Sequence, residues 1–192
     1  MKTPEPFTRR IHLALVHYPV YNKEGDVIAS ALTTIDIHDF ARIARTYRLG
    51  GVWIVTPLAS QKDLFRRMVR HWTEGFGARY NPNRREALEV LETADTIEEA
   101  VERIHRVTGR PVRRFATSAR RYPGSVSIPA LAETIRSTTD EFVLLFGTGW
   151  GLVETVIETC EGVLTPIRPY GYNHLSVRSA ASIICDRLIG DE

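Results

Sequence analysis

The sequence has 192 residues, 43% of them apolar and 25% charged, with a formal net charge of +2. These values describe one domain able to bury a core, and they exclude collagen and a disordered chain. No apolar run approaches the roughly 20 residues of a membrane span, so no membrane partner is expected.

In chain order, MKTPEPFTRR has no apolar stretch behind its charges and reads as a frayed tail over 1–10, not a signal peptide. IHLALV at 11–16 reads as a buried strand. Ile37, Phe40, Ala41, Ala44 and Tyr47 fall at helical spacing, predicting a helix over 36–47 capped by Asp36 and ended by Gly50-Gly51. VWIVT at 52–56 is the next strand, and Ser60 with Asp63 opens a helix carrying Leu64, Met68 and Trp72. GFGARYNPNRR at 75–85 reads as an exposed loop, followed by a helix over about 85–94. Thr96-Ile97-Glu98-Glu99 is a capping box for a helix with Ile97, Ala100, Val101, Ile104 and Val107 inward. Gly109 and Pro111 end it. A strand near 112–117, a helix near 128–136 and the strand FVLLF at 142–146 follow. A short helix within 152–159 and a strand at 163–167 lead to a last helix over 174–189, with Val177, Ala181, Ile184 and Leu188 inward. Strands alternating with helices predict a single α/β domain, its parallel sheet covered on both faces.

The charge is unevenly spread. Residues 66–121 carry 13 basic and 8 acidic groups, and residues 122–192 carry 4 and 9. All the basic groups of the middle third are arginines, whose forked donors fit phosphate. This fits a nucleic-acid partner, with Arg79, Arg84 and Arg85 beside Phe76 and Tyr80 as contacts; a solvated arginine-rich surface is the other reading. Cys160 and Cys185 sit in apolar contexts and read as buried thiols of a reducing cytoplasm. The histidines are scattered, so no metal site is expected.

Ligands of an open α/β sheet sit beyond the carboxyl ends of its strands. Three segments in the second half fit there: Ala116–Ala119, Gly147–Gly151, and Pro169–Ser176. Gly147-Thr148-Gly149 is not a dinucleotide fingerprint, because position 152 is Leu152. Asn173 or Ser176 can cap the last helix.

LLFGTGWGL at 144–152 and GYNHLSVRSAASIICDRLIG at 171–190 resemble the last two motifs of the SPOUT superfamily of knotted RNA methyltransferases. HYPVYNKEGDVIASALTTIDIHDFAR at 17–42 resembles the opening of a TrmD-like bacterial branch. The resemblance covers nearly the whole chain. It implies an α/β domain closed by a deep C-terminal trefoil knot, S-adenosylmethionine as cofactor, and a homodimer whose site is completed across the interface. It also implies an RNA substrate, tRNA or rRNA. Thr117 and Ser118 match the first cofactor loop, and Gly147, Thr148, Gly149 and Gly151 the second. Ile167, Tyr172, Asn173, His174, Leu175, Ser176 and Arg178 lie in the third.

The resemblance supplies no catalytic base. Asn22, Asp36 and Arg168 are the candidates, with Lys23, His38, Asp39 and His174 beside them; for Asp36 an ordinary helix cap is the competing reading. Two alternatives stay open: a dimeric RNA-binding protein on the same scaffold without turnover, and a nucleotide-binding α/β enzyme using the 147–151 loop.

Overall fold

The computed structural model describes residues 6–190. Its spine is β1 (Ile11–Val16), buried along its whole length. Such a strand needs covering on both faces, and the chain supplies it. β1 pairs in parallel with β4 (Gly51–Val55) on one side and β7 (Glu141–Gly147) on the other. β5 (Leu91–Ala94) extends the sheet beyond β4; β6 (Val112–Ala116) and β8 (Gly162–Val163) extend it beyond β7. The order β5-β4-β1-β7-β6-β8 is parallel throughout, so the sheet strands leave their carboxyl ends on one edge. A small antiparallel hairpin of β2 (Val20–Tyr21) and β3 (Val27–Ile28) stands apart, unannounced by the sequence pattern.

One face is packed by α1 (Thr34–Thr46), α4 (Pro82–Leu88), α6 (Ile128–Ser137) and α8 (Val177–Ile189), which cover Ile11, Leu13 and Leu15. The other face, with Ala14 and Val16, is packed by α5 (Ile97–Thr108) and the short α7 (Glu154–Ile157). Cys185 is fully buried and Cys160 half-buried, and burial pushes their thiols up to about 12 and about 11. Both are therefore inert thiols, not nucleophiles.

Several expectations are corrected. Residues 1–5 lie outside the described residues, but Phe7–Arg10 form a 3₁₀ turn rather than a frayed tail. Arg10 fixes it by donating to the carbonyls of Ile135 and Thr138, and Arg136 lies 4.7 Å over the Phe7 ring. Asp36 does not cap α1; Thr33 does, accepting the Asp36 N–H. α2 (Ala59–Thr73) has already begun at Ser60. Residues 75–85 are not a loop but α3 (Phe76–Tyr80) and the start of α4. Asn81 caps α4 by accepting from the Arg84 N–H at 3.0 Å, with Pro82 at its first turn. The helix expected to run to 94 stops at Leu88, because Leu91–Ala94 pair with β4 as an edge strand. In α5, Val107 is 86% exposed, whereas Ile97, Ala100 and Ile104 are buried. α8 starts at Val177, where Ser176 accepts the Ser179 N–H.

Candidate active site

At the carboxyl ends of β6 and β7 the chain encloses a cavity of about 880 Å³. The segment after β6 brings Thr117 and Ser118 to its wall, and the loop after β7 brings Gly147, Thr148, Gly149 and Gly151. The third wall comes from Ile167, Asn173, His174, Leu175, Ser176 and Arg178. All the residues expected to hold a cofactor therefore meet in one cavity except Tyr172, which is 86% exposed and outside the lining.

Backbone bonds fix the loops. Thr117 donates its N–H to the Leu145 carbonyl at 3.0 Å, and its hydroxyl reaches the same oxygen at 2.9 Å. The Trp150 N–H donates to the Tyr21 carbonyl and the Tyr21 N–H to the Gly151 carbonyl, both at 2.9 Å. The β2–β3 hairpin thus braces the Gly147–Gly151 loop from behind. Asn173 Nδ2 donates to the Ala119 carbonyl at 2.8 Å, tying the third wall to the first.

A fourth wall was missed. Ser30, Ala31 and Thr33 line the cavity just before α1, together with Asp36. The run of small and hydroxyl residues in IASALTT was the available signal, but nothing in it points to a distant loop. Thr148 Oγ1 donates to the Val16 carbonyl at 2.9 Å, which orients the Ser30 hydroxyl toward Thr148 at 2.5 Å. Ser30 then accepts from His17 Nδ1 at 2.9 Å. His17 is fully buried with no partner at Nε2, and burial, outweighing the nearby Asp36 carboxylate, pushes its pKa down to about 4. The imidazole is neutral at pH 7 and links β1 to the second loop.

The catalytic candidates separate. Asp36 is at the cavity, where Arg178 Nη1 donates to one carboxylate oxygen at 2.8 Å and the Thr33 hydroxyl to the other at 2.6 Å. Arg178 also pairs with Asp39 at 3.3 Å. Asn22 is not at the cavity; its side chain closes the hairpin turn through Asp26. Arg168 is exposed and also outside the lining, and His38 lies edge-on to Trp72 at 5.7 Å. Among the described residues no cluster of His, Cys, Asp or Glu could hold a metal ion. The arginines expected at RNA lie elsewhere, on α3 and α4: Arg84 sits 4.4 Å over the Trp72 ring, Arg85 pairs with Glu89, and Arg79 is exposed.

Residues 10–190 match the profile of a family described as SAM-dependent RNA methyltransferase. The chain belongs to that family. Curated relatives include a tRNA (guanine-N(1)-)-methyltransferase of Oleidesulfovibrio alaskensis, 46% identical over 184 residues. The match covers 95% of this chain and 43% of that protein, so the chain spans less than half the length of that relative. An uncharacterized protein of Aquifex aeolicus is 37% identical over 179 residues, covering 93% of this chain and 87% of that one. Among solved structures, a probable methyltransferase from Bordetella pertussis aligns with a TM-score of 0.64 at 20% identity, covering 95% of each chain. The TrmH/SpoU tRNA modifying enzyme of A. aeolicus aligns at 0.56 and 14% identity, over 94% of this chain and 74% of that one. The fold is therefore that of the SPOUT methyltransferases, and the family match sets aside the unrelated nucleotide-binding enzyme.

Proposed function

We propose that this chain methylates a nucleotide of RNA, tRNA or rRNA, with S-adenosylmethionine bound in the cavity. The observation that carries the reading is the convergence of three backbone-rich loops on that one cavity at the carboxyl edge of the sheet. Its volume suits a nucleoside-sized ligand. Its lining suits this one in chemistry: a single carboxylate, Asp36, the guanidinium groups of Arg120 and Arg178, several hydroxyls and the loop amides face a zwitterionic nucleoside carrying a sulfonium. The bound cofactor would supply an electrophilic methyl group. The chain's own part is to hold the acceptor in line with that methyl at about 3 Å and to exclude competing water. Asp36 and Arg178 clasp α1 to the start of α8, which keeps the third wall closed over the cavity.

We read the segment after β8 as threading the 117–127 loop to make the superfamily's trefoil knot. Supporting this, the Leu164 N–H donates to the Ala116 carbonyl at 2.8 Å and the Thr165 N–H to the Val126 carbonyl at 2.9 Å. The chain then returns as α8 against α1 and α6. We read the molecule as a homodimer joined at the groove between α1 and α8, and place it in the cytoplasm with its RNA. Among the described residues no helix is long and apolar enough to cross a membrane.

Calorimetry and turnover test the reading. S-adenosylmethionine and its demethylated product should bind and raise the melting temperature, by about 2.7 kcal/mol of added stability at a hundredfold excess over Kd. NAD and ATP should not. Labelled methyl groups should enter bulk RNA from a strain lacking the protein. Cofactor binding without methyl incorporation would leave an RNA-binding scaffold without turnover; stabilisation by NAD alone would overturn the site itself.

A further inference from the structure

Between β4 and β5 the chain leaves the sheet for α2, α3 and α4, and Trp72 is the hub of this excursion. Arg84 lies 4.4 Å over its ring, and the rings of His38 and His71 meet it edge-on at 5.7 and 5.0 Å. A Cβ on Gly77 would stand 2.6 Å from the Trp72 ring, so α3 rests directly on α2. This leaves Phe76 and Tyr80, one helical turn apart, facing water at 67% and 75% exposure. Their rings are 22° from parallel with centroids 5.8 Å apart. Phe65, Met68, Val69 and Trp72 turn inward on α2, so Arg67 and Arg70 stand on its outer side. Arg79 lies between the two exposed rings in sequence. Among the described residues, Arg67, Arg70 and Arg79 have no carboxylate partner, whereas Arg66 pairs with Asp63, Arg85 with Glu89, and Arg103 with both Glu92 and Glu99.

We propose that this excursion is a docking surface for unpaired RNA nucleotides. Phe76 and Tyr80 stack on bases, and Arg67, Arg70 and Arg79 hold the flanking phosphates. Exposed aromatic rings offer a face that any unstacked base can cover, and a duplex hides those faces. Arginines without carboxylates leave their forked donors open to phosphate, which favours RNA over a protein partner. Arg84 and Arg85 are excluded from the contact set, since the first holds Trp72 and the second Glu89. The surface is joined to the cavity through the first turn of α1: His38 touches Trp72, and Asp36, two residues earlier, lines the cavity. The inference rests on the RNA reading above.

The test uses the full chain and a labelled oligoribonucleotide, offered single-stranded and as a duplex. The exposed side chains should be removable without unfolding, checked by melting temperature and by cofactor affinity, both expected unchanged. Phe76→Ala/Tyr80→Ala should weaken single-strand binding roughly fivefold to a hundredfold per base lost, and duplex binding far less. Arg67→Gln/Arg70→Gln/Arg79→Gln should make the dependence of log K on log salt shallower by about two, since fewer counterions are released. Wild-type affinity in both variants would overturn the surface and return it to a protein partner or to solvent. Equal losses for single strand and duplex in the aromatic variant would overturn the stacking role. If the unmutated chain binds cofactor but no RNA, the broader RNA reading fails first, and that outcome is distinct from a loss confined to the variants.

Discussion

At Gly149 the neighbouring backbone, rather than a ligand, dictates the residue type. Its φ is +57°, and a Cβ there would stand 2.7 Å from the Tyr21 carbonyl oxygen, which braces this loop. A β-branched residue at this position is strained and also pushes the hairpin away. Gly149→Val should therefore lower stability by at least about 1–3 kcal/mol as well as abolish cofactor binding; urea unfolding separates the two. Loss of binding with full stability would show that a ligand presses on Gly149 after all. Asp36 has a similar history: expected as a cap, it is the centre of a clasp with Arg178 and Thr33. The pair is partly open to water, so Asp36→Asn should cost on the order of 1 kcal/mol. Methyl transfer should persist within a fewfold. A rate loss of roughly 10²–10⁴ with cofactor affinity intact would make Asp36 the general base.

The strands differ in how they meet acid. At the amino end of the sheet, β1 and β7 join through His12 Nε2 and Glu141 Oε2 at 3.1 Å, and Arg110 donates to the other oxygen at 3.0 Å. Burial raises the Glu141 pKa, but His12 and Arg110 outweigh it and hold the carboxyl below its ordinary 4.5. A depressed carboxylate stabilises the fold above the unfolded value and loses that stability as pH falls below it. Beyond the carboxyl end of β1, His17 is held near 4 against 6.5 when unfolded. The unfolded chain takes up that proton first, so stability is full above 6.5 and drains toward pH 4, by on the order of 3 kcal/mol. Urea unfolding at pH 7, 5.5 and 4.5 should show this decline, flattened in His17→Gln; an unchanged slope would remove His17 from the acid limb. These long-range partners explain what the sequence left hidden. IHLALV and FVLLF declare themselves because burial on both faces demands continuous apolar runs. LETA does not: Glu92 and the helix-favouring residues before it mask an edge strand with only its ends buried. The capped turn Asn81-Pro82 is a local signal that was legible but overshadowed by two glycines. Asp36 and Arg178 are 142 residues apart, and no local spacing brings them together. The three loops that wall the cavity were legible from their place after strands and from motif resemblance, whereas Ser30 and His17 emerged only from tertiary contacts.

For the whole molecule, the proposed dimer would join at the groove between α1 and α8. Arg178 belongs both to this groove and to the cavity, and Asp39, Arg42 and Tyr47 share the groove with it. A second copy docking there would touch the site. Sedimentation at micromolar concentration should report two copies, and Arg42→Glu should shift the molecule toward monomer while weakening cofactor affinity. A monomeric parent chain would remove the basis for a shared site. The way the cavity is walled also sets a timetable. The segments 30–36 and 117–120 are synthesised well before 164–178, yet each contributes residues to its lining. A nascent chain that has emerged only as far as β8 can pair its six sheet strands but has no third wall. A cofactor held in this cavity would therefore not guide early folding on the ribosome; its binding would await the third wall. Chains interrupted before Arg178 should stay blind to cofactor even when their sheet is formed, so a thermal shift with S-adenosylmethionine would report whether the third wall has closed.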